Sequence, residues 1–485
     1  MKKYILSIDA GTTGITLVLV DKKANIVQKE YLEINQYYPL PGWVEHDPIE
    51  LIKKIKKLLA RIHRKGFLKK THSIGITNQR ESIVVWNKKT GKPIYNTIVW
   101  QCRRTKKECE KIKKQNKHYR IFKKTGLYLD SYFSATKIKW ILENVKNSKK
   151  LLKKDLLLCG TIDTWIMWNL TNENNHLTDF TNACRTMLYN INTKSWDNSL
   201  LKLFSIPKRI LPIVKNSMDD FGTLINTNIP INAVAGDQQS ALFGNGCTKP
   251  NSSKCTYGTG LFFLYNTGKK RIDSKSKLLT TLAIDNKGKP VYAIEGSIFI
   301  GGALIQWLRD ELGLIKNAMD TEKIAKSIDD TNNVVIVPAF VGLGAPHWNS
   351  NCSGLITGLT RGTNKNHIIR AALESIAYQV NDLLECIKKD FSKSINKLNV
   401  DGGATQNSFL MQFQADISRT IIVKPKNIET TAIGVGFMAG LQSKFWNSSN
   451  DVFNERLIDN YYKPKMEPKD RLIKINQWKE ALKRI

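Results

Sequence analysis

The opening of the chain constrains its fold more than any other stretch. Tyr4-Ile5-Leu6-Ser7-Ile8-Asp9 is an apolar run that ends on a carboxylate, and Leu17-Val18-Leu19-Val20-Asp21 is a second such run. Between them stands Ala10-Gly11-Thr12-Thr13-Gly14. Two β-rich runs joined by a short glycine and hydroxyl turn read as a β-hairpin. Such a turn brings backbone N–H and side-chain O–H groups close to an anion. Asp9 at its mouth is placed to hold a hydrated Mg2+, a cation that prefers oxygen ligands and keeps several waters. An ordinary N-terminal hairpin, with glycine there for geometry alone, explains the same residues equally well.

At 485 residues the chain is expected to form two domains, or three. Its start imitates a signal peptide, but Asp9 interrupts the apolar part and no small-residue cleavage site follows. No apolar run approaches the ~18 residues of a membrane span. Eight scattered cysteines without a CxxC pair point to reduced thiols and a cytoplasmic location. The net charge of +33 invites a nucleic-acid reading. The surplus is mostly Lys, spread over helical stretches with few interleaved aromatics, in a chain also rich in Asn and Ile. That pattern reads as a solvated surface rather than a specific nucleic-acid interface.

Short β-rich runs (Ile83 to Trp86, Val234 to Gly236, Val334 to Val337) alternate with long helical segments, the pattern of an α/β protein. One helix is expected over Ile49 to Ile62, burying Ile49, Ile52, Ile55, Leu58, Leu59 and Ile62, and another over Ile368 to Ile387. A second strand runs into a glycine and hydroxyl turn at Cys255-Thr256-Tyr257-Gly258-Thr259-Gly260, followed by a strand from Leu261 to Tyr265. The two turns lie half a chain apart. They hint at two related halves, 1–245 and 246–485, with a cleft between them.

Neither a GxxxxGK[ST] loop nor a GxGxxG after a strand occurs, so any nucleotide must be held by the glycine and hydroxyl turns. Asp237 follows the apolar Ala233-Val234-Ala235-Gly236, where an α/β strand presents residues to a ligand. It suits a general base on a hydroxyl. It suits a helix N-cap too, and spacing alone favours the cap. Thr77-Asn78-Gln79-Arg80-Glu81 puts five polar residues at a strand end. Arg80 can donate to one hydroxyl of a polyol while Glu81 accepts from the next. A solvated loop with a local ion pair is the plainer reading. Asp401-Gly402-Gly403-Ala404 is a third strand-end turn, leading into a helix from Asn407. It either lets a flat ring approach the backbone or merely connects strand to helix.

Taken together and in this order, the motifs resemble the FGGY carbohydrate kinase family of the actin/hexokinase-like ATPase superfamily, from about residue 3 to about residue 480. Tyr132 to Asn144 fits the first family signature and Gly354 to Glu374 the second. Pro41 to Asp47, Gly75 to Glu81, Ile98 to Thr105 and Gly342 to Pro346 are similar to the glycerol-phosphorylating branch rather than to sugar kinases.

The resemblance implies an α/β fold of two actin/hexokinase-like (ribonuclease H-like) domains. It implies ATP-dependent phosphorylation of glycerol to sn-glycerol 3-phosphate, with Mg2+, by a homo-oligomer (dimer or tetramer). Residue by residue, it implies that Arg80, Glu81, Tyr132, Asp237 and Gln238 bind the glycerol hydroxyls, with Trp100 and Phe262 against the carbon chain. Asp237 becomes the general base, and Asp9 the carboxylate linked to Mg2+ through water. Thr12, Thr13, Gly258 and Thr259 face the phosphates, and Gly302, Gln306, Gly403, Ala404 and Asn407 form the adenosine pocket. The chain departs from the family in having Ala10 where Gln is usual and Thr16 where Arg is usual.

Many bacterial members carry a glycine-rich insertion with an Arg that binds fructose 1,6-bisphosphate. The matching segment here, Phe221 to Pro230, has one glycine and no Lys or Arg. A bisphosphate site needs several fixed donors. Millimolar fructose 1,6-bisphosphate should therefore leave glycerol phosphorylation unchanged at ~0.15 M salt, where diffuse charge is screened. Saturable, non-competitive inhibition in a coupled assay would refute this.

Overall fold

The structure, a computed structural model, describes residues 2–115, 118–171, 175–349, 351–453 and 458–485. Two sheets organise it. The first has five strands, β1 (Tyr4–Ala10), β2 (Gly14–Val20), β3 (Ile26–Glu33), β4 (Thr71–Asn78) and β5 (Ile231–Gly236), in the order β5-β4-β1-β2-β3. β1, β2 and β3 pair antiparallel, while β4 and β5 add in parallel on the other side of β1. The second sheet holds β6 (Ser253–Tyr257), β7 (Leu261–Gly268), β8 (Leu279–Ile284), β9 (Pro290–Ile298), β10 (Lys397–Asp401), β11 (Ile421–Pro425) and β12 (Ile458–Tyr462). Its order is β8-β9-β7-β6-β10-β11-β12. There β6, β7 and β9 repeat the antiparallel trio, and β10 and β11 repeat the parallel pair. The hint of two related halves is thus a duplicated strand plan.

Period-two alternation sorts the side chains of the first sheet. Leu6, Ile8, Ala10, Leu17 and Leu19 face α1 (Pro48–Arg64). Ile5, Val18 and Val20 face the opposite way. Asp47 caps α1, its carboxylate accepting the Ile49 N–H, and Pro48 supplies the first turn. The buried stripe of α1 is Pro48, Leu51, Ile52, Ile55, Leu58, Leu59 and Ile62. Ile49, expected in that stripe, is instead exposed. At 3.6 residues per turn it sits roughly 120° from the centre of the stripe at Ile55. Further helices that matter below are α2 (Ser134–Asn144), α3 (Asp237–Gly244), α4 (Gly302–Asp310), α5 (Lys365–Phe391), α6 (Ser408–Ser418) and α7 (Thr430–Gln442). The second sheet packs with α4, α5 and α6 around its own core. Among the described residues no helix is long and apolar enough to cross a membrane, and all eight cysteines are free.

α7 lies in the second half of the sequence yet packs on β1, β4 and β5 of the first sheet and against α3. Small residues make this possible. A Cβ on Gly434 would stand 2.0 Å from the Ser240 carbonyl oxygen of α3, and one on Gly75 of β4 would stand 2.4 Å from the Val435 carbonyl oxygen of α7. Both obstacles are backbone atoms, which cannot rotate away. Gly434→Ala should therefore lower stability by about 1–3 kcal/mol, the cost of overpacking a close-packed core. Urea unfolding measures it, and an unchanged midpoint would show that the helices separate freely.

Candidate active site

β1 and β2 meet at the turn Gly11 to Thr13, closed by the Gly11 N–H donating to the Gly14 carbonyl at 2.9 Å. β6 and β7 meet at the turn Gly258 to Gly260, closed in the same way at 3.0 Å. The two turns face each other across a cleft of about 670 Å3. Thr12 and Thr13 line it on one side, and Gly258 and Thr259 on the other, with Gln306 of α4. Arg80, Glu81, Trp100, Tyr132, Asp237, Gln238 and Phe262 line the same cleft.

The remaining expected positions lie outside its lining. Asp9 is behind the first turn, at the end of β1. Gly302 backs the second turn, its N–H donating to the Gly258 carbonyl at 2.8 Å. Gly403 and Ala404 lie on the connector between β10 and α6. Asn407 caps α6 through the Leu410 N–H and donates from Nδ2 to Thr321 Oγ1 at 3.1 Å. Gly402 beside them has φ +89°, and a Cβ there would meet the Tyr257 carbonyl at 2.6 Å, so this connector presses directly on the end of β6.

The polar run after β4 is no solvated loop. Thr77, Asn78, Gln79, Arg80 and Glu81 are all buried. Arg80 Nη1 and Nη2 donate to Glu295 at 2.7 and 3.0 Å, and its Nε lies 3.2 Å from Asp237 Oδ1. Arg185 completes the cluster, with Nε donating to Glu81 Oε1 at 2.6 Å and Nη2 to Glu295 Oε1 at 2.8 Å. Burial alone would raise the Glu295 carboxyl, but Arg185 and Arg80 outweigh it and hold its pKa down to about 2.

Asp237 is not the cap of α3. Gly236 holds that place, and Asp237 is the first helical residue, its carboxylate accepting the adjacent Gln238 N–H at 2.7 Å. Burial raises its pKa, Arg80 opposes the rise and Glu81 adds to it. The outcome is a carboxylate more basic than one in water. The walls are aromatic. Trp100 meets Tyr132 edge-on at 5.6 Å and Phe262 at 6.1 Å. The Trp100 indole N–H donates to Thr12 Oγ1 at 2.9 Å, joining the aromatic wall to the first turn.

Asp9 is held well above the usual carboxylate range by burial, then by Asp237 and Glu429, with Lys29 opposing. Among the described residues no group of three metal-ligating side chains converges around it. Thr16 is the direct cross-strand neighbour of Asp9.

Arg185, Glu295 and Lys254 were not foreseen. Lys254 is buried and donates to Gln238 Oε1 at 2.5 Å and Thr256 Oγ1 at 2.7 Å. Two of them carried a signal: a lone Glu within Ala293-Ile294-Glu295-Gly296 and a lone Lys within Ser253-Lys254-Cys255 are charges inside β-rich runs, which only a buried partner explains.

The model for the FGGY family of carbohydrate kinases, N-terminal domain, matches residues 4–244, and that for the C-terminal domain matches residues 253–443. The chain belongs to the FGGY family of carbohydrate kinases. It is 50% identical to a glycerol kinase of Shewanella baltica over 489 aligned residues, covering 100% of this chain and 99% of that one. The glycerol kinase of Shewanella oneidensis is 50% identical with the same coverage. Among solved structures, a Plasmodium falciparum glycerol kinase with ADP superposes with a TM-score of 0.91 at 38% identity, covering 99% of this chain and 98% of that one. A xylulose kinase from Lactobacillus acidophilus superposes with a TM-score of 0.87 at 22% identity over 99% and 97% of the two chains, a likeness of fold alone.

Glu295 tests the cluster. Its depressed pKa contributes stability that is complete above its unfolded value, near ~4.3, and is lost as pH falls toward about 2. Glu295→Gln removes that charge at every pH and leaves Arg80 and Arg185 buried with one carboxylate fewer. Stability at pH 7 should fall by about 3–5 kcal/mol, the scale of breaking a buried ion pair. Equal urea midpoints for the variant and the parent would show that the arginines are adequately paired without it.

Proposed function

We infer that this protein catalyses ATP-dependent phosphorylation of glycerol to sn-glycerol 3-phosphate, the first step of glycerol utilisation. The observation that carries the reading is the juxtaposition of Asp237 with Arg80 and Glu81 under the aromatic walls of Trp100 and Phe262, in a cleft whose other end is two glycine and hydroxyl turns. Full-length identity to glycerol kinases supports the same substrate.

In this reading Arg80 donates to glycerol hydroxyls while Glu81 accepts from them, and Tyr132 and Gln238 contribute further polar contacts. Trp100 and Phe262 pack against the carbon chain. Asp237 accepts the proton of the terminal hydroxyl as that oxygen forms its bond to the γ-phosphorus. The bond to the β-phosphate oxygen breaks, and ADP leaves with the electron pair. Thr12, Thr13, Gly258 and Thr259 donate to the phosphates from the two turns. Gly302, Gln306, Gly403, Ala404 and Asn407 border the adenosine. Asp9, through water, would hold Mg2+, which when bound neutralises charge on the phosphates. Closure of two lobes, 1–245 and 246–485, keeps water from competing with the hydroxyl. Eight free cysteines suit a cytoplasmic enzyme, and the family resemblance supports a homo-oligomer.

Kinase action on another polyol or a ketopentose is the nearest rival, and Arg80-Glu81 beside the Trp100 wall favours a small triol over it. A nucleotide-binding protein without a small substrate has no use for the buried 77–81 run. A coupled assay with ATP and a panel of polyols separates these readings.

Asp237→Asn keeps the shape and removes proton acceptance. It should lower kcat by about 10²-fold or more, as loss of a general base does, with the fold intact by circular dichroism. Near-normal turnover would remove Asp237 from the chemistry.

A further inference from the structure

Lys137 of α2 is fully buried, and none of the ion pairs among the described residues includes it. Its Nζ donates to two backbone carbonyls, that of Tyr132 at 2.7 Å and that of Glu81 at 3.3 Å. Ser134 Oγ, one turn earlier on the same helix, donates to the same Glu81 carbonyl at 3.0 Å. Burying an ammonium outside any ion pair is costly, and burial brings the Lys137 pKa down to about 7, with the Glu81 and Asp130 charges opposing the fall. A cost of that kind points to a use.

The use lies in what the two carbonyls belong to. Tyr132 and Glu81 both present side chains to the cleft. Glu81 is moreover held at φ +63°, the left-handed region that a non-glycine residue rarely occupies. The Ser82 N–H closes on the Arg80 carbonyl at 2.7 Å, an i to i+2 bond centred on Glu81. Three-residue turns with positive φ are the strained hand of the γ-turn. Such a conformation persists only where its surroundings over-determine it. The donors on the Glu81 carbonyl come from α2, and the same Lys137 ammonium ties that carbonyl to the Tyr132 segment.

We propose that Lys137 is a positioning residue for substrate binding: it clamps the Glu81 turn to the Tyr132 segment and so fixes the glycerol-facing carboxylate and phenol relative to each other. It touches neither glycerol nor nucleotide, and its effect passes through Glu81 and Tyr132. The inference rests on the glycerol kinase reading above. The geometry confines the consequence to one substrate. Glu81 and Tyr132 face the polyol end of the cleft, whereas the phosphate-facing turns lie elsewhere.

Lys137→Met keeps the length of the side chain and removes the donors. The KM for glycerol should rise by at least about tenfold, the scale of two lost hydrogen bonds, while the KM for ATP stays within about twofold. A folded Lys137→Met enzyme with an unshifted glycerol KM overturns the proposal, and so does an equal rise in both constants, which marks a general packing defect. If Lys137→Met does not fold, Ser134→Ala decides, since it deletes a single hydroxyl from the same carbonyl. It should raise the glycerol KM about threefold, with the ATP KM unmoved, as one weakened hydrogen bond does. No rise there refutes the clamp. The unsubstituted enzyme in the same assay keeps the two readings apart. No glycerol turnover in it sinks the kinase assignment, whereas normal turnover with unshifted variants sinks the clamp alone.

Discussion

The structure turns on four buried charges: Arg80, Arg185, Glu81 and Glu295. Each would be an expensive residue by itself, because removing an ion from water costs several kcal/mol even after relaxation. Together they form a chain in which Glu295 accepts from both arginines and Glu81 accepts from Arg185. Glu295 comes from the second sheet, while Arg80 and Glu81 follow the central parallel strand of the first. This end of the cleft is therefore incomplete until both sheets are folded together. A buried network of this kind is poor evidence for extra stability. What it does enforce is geometry, since its members hold one another through directional hydrogen bonds, with Arg185 Nη1 alone left unpartnered among the nitrogens of the two arginines that face the carboxylates.

Backbone economy enforces geometry at the other end of the cleft. Two turns from two hairpins, the proposed phosphate donors, face each other there, each closed by one backbone hydrogen bond. α7 ties the halves together a second time by crossing from the second half of the chain to the first sheet. Gly434 of α7 permits close backbone contact with α3, and Gly75 of β4 permits it with α7. Asp9 shares the sheet face of Ile5, the face α7 covers, so the helix that stabilises the sheet also brings Glu429 toward Asp9. Structural packing and the electrostatics around Asp9 are here coupled through one helix.

Much of this was legible in the sequence, and the reasons differ by residue. The hairpins were readable because an apolar run, a glycine and hydroxyl turn and a second apolar run are local signals. The site residues that a resemblance to known kinases supplied fell mostly into one cleft. Ile49 misled because a count of apolar residues ignores where a cap rotates the first turn of a helix. Asp237 read as a cap because capping and catalysis want the same small acid at a strand-to-helix junction, and only the position of Gly236 separates them. Arg185 and Glu295 escaped because their meaning is a partner far away in sequence, and no spacing rule connects residue 80 to residue 295.

Arg80 is divided between two carboxylate partners. Its terminal nitrogens are committed to Glu295, and its Nε faces Asp237 at 3.2 Å. The second pairing holds down the basicity that burial confers on Asp237. A hydroxyl that takes up Arg80 Nε must compete with Asp237 for it. Weakening that pairing leaves Asp237 with its burial and its repulsion from Glu81, both of which raise its pKa. In the reaction proposed above, a polyol hydroxyl on Arg80 Nε would loosen this pairing and favour proton uptake by Asp237, the proposed base. That order suits the proposed phosphoryl transfer, because a base active before the alcohol arrives would serve water instead.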